Sequence, residues 1–174
     1  MIRRPRQPGR RVVTLFVETF MSSGIDPDNA MLRAVLVAAI ADATEREGYS
    51  CEIVAVVTTR GTDGRTGHQH AITLKNAGER LALADIVFAL GHPSFFRRLV
   101  FASVGAHEAC RTTWHTQGYP TAAFDDRHTC GHSEFYIKQL SIEDQRKLND
   151  DDPYDMLRFI EPDGLPVSLR DALA

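Results

Sequence analysis

Histidine and cysteine crowd one stretch of this 174-residue chain. Between Gly105 and His132 lie His107, His115, His128 and His132 together with Cys110 and Cys130. Their order is His107-x-x-Cys110, seventeen further residues, then His128-x-Cys130-x-His132. Imidazole and thiolate ligands at such separations are able to close a tetrahedral zinc site with bonds of about 2.0 to 2.3 Å. His107, Cys110, His128, Cys130 and His132 are therefore candidate zinc ligands, for a structural site or, with Glu108 and Asp125 available as bases, a catalytic one. The stretch contains no Cys-x-x-Cys pair. A surface loop with Cys110 buried and the histidines hydrogen-bonding locally accounts for the same residues without any cofactor.

A second chemistry-bearing feature is cationic. Arg3, Arg4, Arg6, Arg10 and Arg11 stand among Pro5, Pro8 and Gly9. That composition packs poorly, so residues 1–11 read as a disordered basic arm, either solvated or touching phosphates or an acidic partner. Arg97 and Arg98 form a further basic pair, and with the arm they make the candidate nucleic-acid contacts. Gly61, Gly64 and Gly67 precede an edge strand rather than a helix, which is the wrong context for a phosphate loop. His68 and His70 read as exposed edge residues.

Composition bounds the rest. A formal net charge of −3 gives no global pull toward nucleic acid or membrane. No apolar run reaches the roughly 18 to 20 residues that span a bilayer, and the start lacks a signal-peptide pattern. Three cysteines are too few for a disulfide scaffold, so the expected location is the reducing cytoplasm.

The elements that must position these residues are legible in the first half. Val12 to Val17 is a continuous run of β-branched and apolar residues, expected as a central strand buried on both faces. Asp26 and Pro27 mark a helix start and Gly48 its stop, with Leu32, Val35, Leu36, Ala39, Ile40 and Ala43 as the apolar face and Arg33, Asp42, Glu45 and Arg46 on the wet side. Tyr49 to Thr59 is a second strand, and the crossover makes the pair parallel. Residues 70–76 return as an antiparallel edge strand. Leu81 to Leu90 is a helix with Leu83, Ala84, Val87, Phe88 and Leu90 inward. Another helix starts at His92, with Phe95, Phe96, Leu99 and Val100 inward and Arg97 and Arg98 outward. Residues 121–124 are a candidate strand, and 133–140 are open between strand and helix. Ser141 caps a short helix through Leu148, and three prolines then confine the tail to short pieces. The expectation is one α/β domain over residues 12–174: a three-layer, Rossmann-like sheet with one antiparallel edge strand.

That order of strand, small-residue loop, long helix, strand, edge hairpin and helix resembles the opening half of a von Willebrand factor A-like domain, over about residues 11–105. The family's first strand ends in an Asp-x-Ser-x-Ser motif that holds a hard divalent cation through oxygen ligands. The resemblance implies a degenerate cation motif here, with Glu18 in place of the Asp, Ser22 as the second Ser, Ser23 beside it and Phe20 where the first hydroxyl stands. It also resembles, more loosely, small uncharacterised proteins of bacteria and phages with the same opening, a group that implies no activity.

The expected function is accordingly a non-enzymatic protein-binding domain within an assembly. The rival readings are a nucleic-acid-associated protein that uses the basic arm and a zinc-dependent enzyme centred on residues 107–132. The acidic stretch at 149–152 and the basic arm are complementary between subunits of a homo-oligomer. Metal content of tag-free protein, paired with melts before and after chelation, separates the readings of the histidine-rich stretch. Near-stoichiometric zinc with a lowered Tm assigns it to a metal site, and no metal with an unchanged melt assigns it to the loop.

Overall fold

A computed structural model describes residues 11–19, 24–60, 67–106 and 134–147. Within them the chain runs β1 (Val12–Glu18), α1 (Pro27–Arg46), β2 (Ser50–Arg60), β3 (Gly67–Lys75), α2 (Leu83–Gly91), a π-helical segment (Phe95–Val100), α3 (Phe101–Ala106), β4 (Glu134–Ile137) and α4 (Ile142–Lys147). The four strands form one mixed sheet in the order β3-β2-β1-β4. β1 is parallel to both of its neighbours, while β3 is antiparallel to β2. The expected parallel pair and antiparallel edge strand are both present. Of the segment 133–140, Glu134–Ile137 forms a strand, with Phe16 opposite Tyr136 and Val17 opposite Ile137.

α1 begins as its sequence demands. The Asp26 side chain accepts from the backbone N–H of Asp28, and Pro27 opens the helix where a missing N–H costs nothing. Its end is set by Gly48 at φ +87°, a left-handed conformation that a side chain disfavours. The buried face differs from the expected one. Ala30, Ala34, Val37, Ala38, Ile40 and Ala41 face the core, while Val35 lies exposed and Leu32 and Leu36 are half-buried. From Ala30 to Ala41 nearly every residue is apolar, so spacing alone does not choose a face. The small side chains go inward because they let the helix lie close to its neighbours. Thr44 is tolerated in that face because its hydroxyl donates to the carbonyl of Ile40 at 2.7 Å.

One cluster contains Val13, Leu15 and Val17 of β1, Cys51, Ile53 and Ala55 of β2, Phe135 and Ile137 of β4, the inner faces of α1 and α2, and Leu140. Strand alternation puts all these strand residues on one side of the sheet. Val57 continues that side and meets Val100 and Phe95. On the opposite side Val54 and Val56 are buried, while Val12, Thr14 and Phe16 are half-buried. Burial on both faces is thus complete from Ile53 to Val57 of β2 and partial at β1, where the Thr14 hydroxyl donates to the half-buried Glu52.

Two further inward faces depart from expectation. In α2, Ile86, Ala89, Leu90 and Gly91 are buried, whereas Leu83 and Phe88 are exposed. After α2, Phe95 and Val100 both reach the small cluster around Val57, and Leu99 is 57% exposed. A π-helical turn relates residues five apart, so it directs Phe95 and Val100 to one side and turns Leu99 outward. Arg97 and Arg98 are exposed, as expected.

α1 and α2 meet at Gly91, where an added Cβ would lie 3.1 Å from the backbone oxygen of Ala30 and from the Cβ of Ala34, and 2.9 Å from Met31 Sδ. Gly91→Ala is therefore expected to destabilise the domain by about 1–3 kcal/mol through overpacking. Urea denaturation checks this, and an unchanged midpoint would mean that the two helices separate freely. Cys51 yields a second expectation. Burial, only partly opposed by Lys75, pushes its thiol from 9.0 up to about 12. Between those pH values the unfolded chain loses the proton and the native chain keeps it, so stability falls as pH rises. Cys51→Ala should flatten that alkaline loss relative to the wild type, measured as the pH dependence of the urea midpoint.

Candidate functional site

β1 sits where the strand order reverses, between β2, reached directly through α1, and β4, reached only after β3 and α2. In open α/β sheets the crevice outside the carboxyl ends of the strands at such a point is where ligands bind. The residues at this end are polar and sequestered. Glu18, the last residue of β1, is 5% exposed, Thr19 is buried, and Arg33 of α1 is 1% exposed.

These side chains converge from three elements. Arg33 Nη2 donates to the backbone oxygens of Glu18 at 3.0 Å, Ile137 at 3.3 Å and Lys138 at 2.5 Å. Strand alternation places Glu18 and Tyr136 together on the face away from α1. There the Tyr136 hydroxyl donates to Glu18 Oε2 at 2.8 Å. Thr19 donates twice to the carbonyl of Val56, through its N–H at 2.8 Å and its hydroxyl at 3.1 Å, which fixes the chain leaving β1 against β2. Arg33 thus binds the strand-end carbonyls from the helical side, and the Glu18–Tyr136 pair acts on it through charge. Burial pushes its guanidinium from 12.5 down to about 10, while the negative charge of Glu18 and the Tyr136 phenol pull it back up. Arg33 Nη1 is buried and has no hydrogen-bond partner among the described residues.

A second buried charge, Lys75 at the end of β3, donates to Glu45 Oε1 at 2.5 Å and to the carbonyl of Cys51 at 2.7 Å. It ties the edge strand to the last turns of α1 at the opposite end of the sheet. Both ion-pair partners and the carbonyl belong to the fold itself, which makes this a structural clamp.

The candidates read from the sequence fare differently. Glu18 is at the reversal point, while Ser22 and Ser23 lie outside the described residues. So do His107, Cys110, His128, Cys130 and His132, and Arg3, Arg4, Arg6 and Arg10. Among the described residues no three His, Cys, Asp or Glu side chains gather closely enough to hold a metal. Arg11 is exposed, and its carbonyl accepts from the N–H of Ser50. His92 accepts from the N–H of Ser94 and stacks on Phe88 at 5.3 Å between ring centres. Arg33 corrects an expectation outright, since it is a core residue and not part of the wet face. The physical reason is that strand-end carbonyls and the Glu18 carboxylate await it. Its signal was present, because Arg33 is the single charged residue between Ala30 and Ala41. Tyr136 had no comparable signal.

If the cluster acts as one unit, its losses are unequal and coupled. Arg33→Leu should cost about 3–5 kcal/mol, because it leaves three strand-end carbonyls without their donor. Tyr136→Phe should cost about 1.5–3 kcal/mol for a hydrogen bond to a charged group. Urea melts of the single and double variants check this, and strictly additive losses would mean that the residues act separately.

No curated protein and no solved structure gives a significant match to the chain. A family model described as a domain of unknown function, DUF7192, matches residues 1–166, and the chain belongs to that family.

Proposed function

We propose that the chain is a non-enzymatic protein-binding domain working within an assembly, and that the carboxyl end of β1 and β4 is its recognition end. The observation that carries this reading is the Glu18–Arg33–Tyr136 cluster, a buried polar group assembled from three elements at the strand-order reversal. A cluster serving packing alone is replaced at little cost by apolar side chains, whereas one at a ligand-binding crevice is retained for what it presents. The sheet order, with an antiparallel edge strand beside two parallel pairs, supports a von Willebrand factor A-like arrangement. No described helix is long and apolar enough to cross a membrane, which fits the cytoplasmic setting that the cysteine content suggests.

The nucleic-acid reading keeps one specific support. Arg97 and Arg98 are exposed and follow closely in sequence on the clustered Phe88, His92 and Phe95 rings, a combination suited to backbone and base contacts. Steeply salt-dependent binding to single-stranded RNA or DNA, lost in Arg97→Ala/Arg98→Ala, would favour it. The zinc-enzyme reading rests on residues 107–132 alone and predicts an activity abolished by chelation.

Recognition at one end of the sheet is testable with a photo-crosslinking residue placed either at Lys138, beside the cluster, or at Glu47, beyond the end of α1; both positions are exposed. In cells that express the protein, a discrete protein adduct is expected from Lys138 and not from Glu47, and the purified pair should co-elute. Equal labelling from the two positions would sink the assignment.

A further inference from the structure

α1 is apolar nearly all round. Its inner side packs on the sheet and on α2, yet from Ala30 to Ala41 its outer side carries no charge either, since Arg33 turns inward. A helix apolar all round is one that its surroundings bury. Five of its twenty residues are nonetheless exposed, Pro27 at its start and then Asp28, Val35, Ala39 and Arg46. Leu32 and Leu36 are half-buried.

The four exposed residues after Pro27 fall on one line. Asp28 and Arg46 are eighteen positions apart, about five turns of 3.6 residues, so they point the same way from opposite ends of a ridge about 27 Å long. Val35 and Ala39 lie within about 20° of that direction, in the middle. The ridge therefore reads acid, apolar, apolar, base, and each member stands as far from Val37 as its counterpart does. Such a ridge complements itself about a two-fold axis, the commonest symmetry of homo-oligomers. With two copies antiparallel, Val35 lies over the partner's Ala39 and Asp28 over the partner's Arg46, and each contact occurs twice. The small Ala39 lets the helices approach, and their opposed dipoles favour the same direction. A parallel pairing would instead set acid against acid and base against base, which disfavours it.

Two neighbouring charges are compatible with this pairing. Arg46 bonds Asp42 at 2.6 Å, but its side chain is 79% exposed and a guanidinium carries five N–H donors, so it can hold a second carboxylate. Glu47 follows Arg46 and is turned about 100° away from the ridge.

Going beyond the recognition end at β1 and β4, we infer that the outer ridge of α1 is a homodimer interface, covered by the same ridge of a second copy in antiparallel register. The contact is one helix wide, at the small end of interface sizes, so the dimer is a concentration-dependent one.

Sedimentation equilibrium of the full chain from roughly 5 to 500 μM tests this, at low ionic strength where exposed charges are least screened. The wild type should pass from one chain toward two. Asp28→Lys brings two cations together at both ends of the contact and Arg46→Glu two carboxylates, so each should weaken association about tenfold. An equal mixture of these two variants should associate like the wild type, because lysine then meets glutamate at one end and Arg46 meets Asp28 at the other. Val35→Lys should weaken association without rescue by mixing, and Val35→Ser serves in its place if the lysine variant does not fold. The altered positions are all exposed, so the urea midpoints of the monomers are expected to stay near that of the wild type. A wild type that remains a single chain at every concentration would overturn the inference. So would a dimer indifferent to the charge reversals, or one that each reversal weakens and their mixture does not restore.

Discussion

The guanidinium of Arg33 is what closes the sheet. Backbone hydrogen bonds hold β4 to β1 over only four residue pairs, from Thr14 opposite Glu134 to Val17 opposite Ile137. Four pairs make a short strand contact, and a side chain from α1 extends it by bonding the carbonyls at both strand ends. One residue thereby fixes the position of α1 along the sheet, the alignment of β4, and the placement of Glu18 and Tyr136 on the far face. The arrangement is exacting because an arginine buried this deeply is tolerable only while its acceptors are present. Any displacement of β4 removes two of its three carbonyl acceptors.

Lys75 performs a related task at the other end. Its bonds to Glu45 and to the carbonyl of Cys51 fasten β3 to α1. The helix is thus pinned near each end by a buried cation, one borne by the helix and one by the sheet. Between those pins three of its six buried residues are alanines, and Gly91 lets α2 approach closely. Small residues give little apolar area per side chain, so the polar pins supply positional definition that the packing alone would not.

How much of this was legible in the chain follows from the physics of each signal. Caps are local chemistry, so Asp26, Pro27, Gly48 and Ser141 announced their helix ends correctly, the last through a reciprocal pair with Asp144. The β1–α1–β2–β3 order followed from β-branched runs and crossover length. Helix faces were read less well wherever apolar residues occupy most positions, as in α1 and α2, because periodicity then carries no contrast. Leu99 was misplaced because an α-helical period was assumed over a π-helical turn. Glu18 was singled out through a resemblance; Arg33 stood out as the single charge in an apolar stretch yet was placed on the wet side, and nothing nearby in the sequence marks Tyr136. The histidine-rich stretch and the basic arm fall outside the described residues.

The sequence separations in the cluster also govern the order of assembly. Arg33 meets Ile137 and Lys138 across 104 and 105 positions, and Tyr136 meets Glu18 across 118. Such non-local closure is slow compared with the crossover of β1, α1 and β2, whose contacts are nearer in the chain. On a ribosome the strands and helices up to β3 emerge with Arg33 lacking two of its three carbonyl acceptors. The nascent unit therefore carries a buried guanidinium short of two acceptors until β4 arrives. Docking of that short strand supplies them, so the candidate recognition end is completed after the rest of the described sheet.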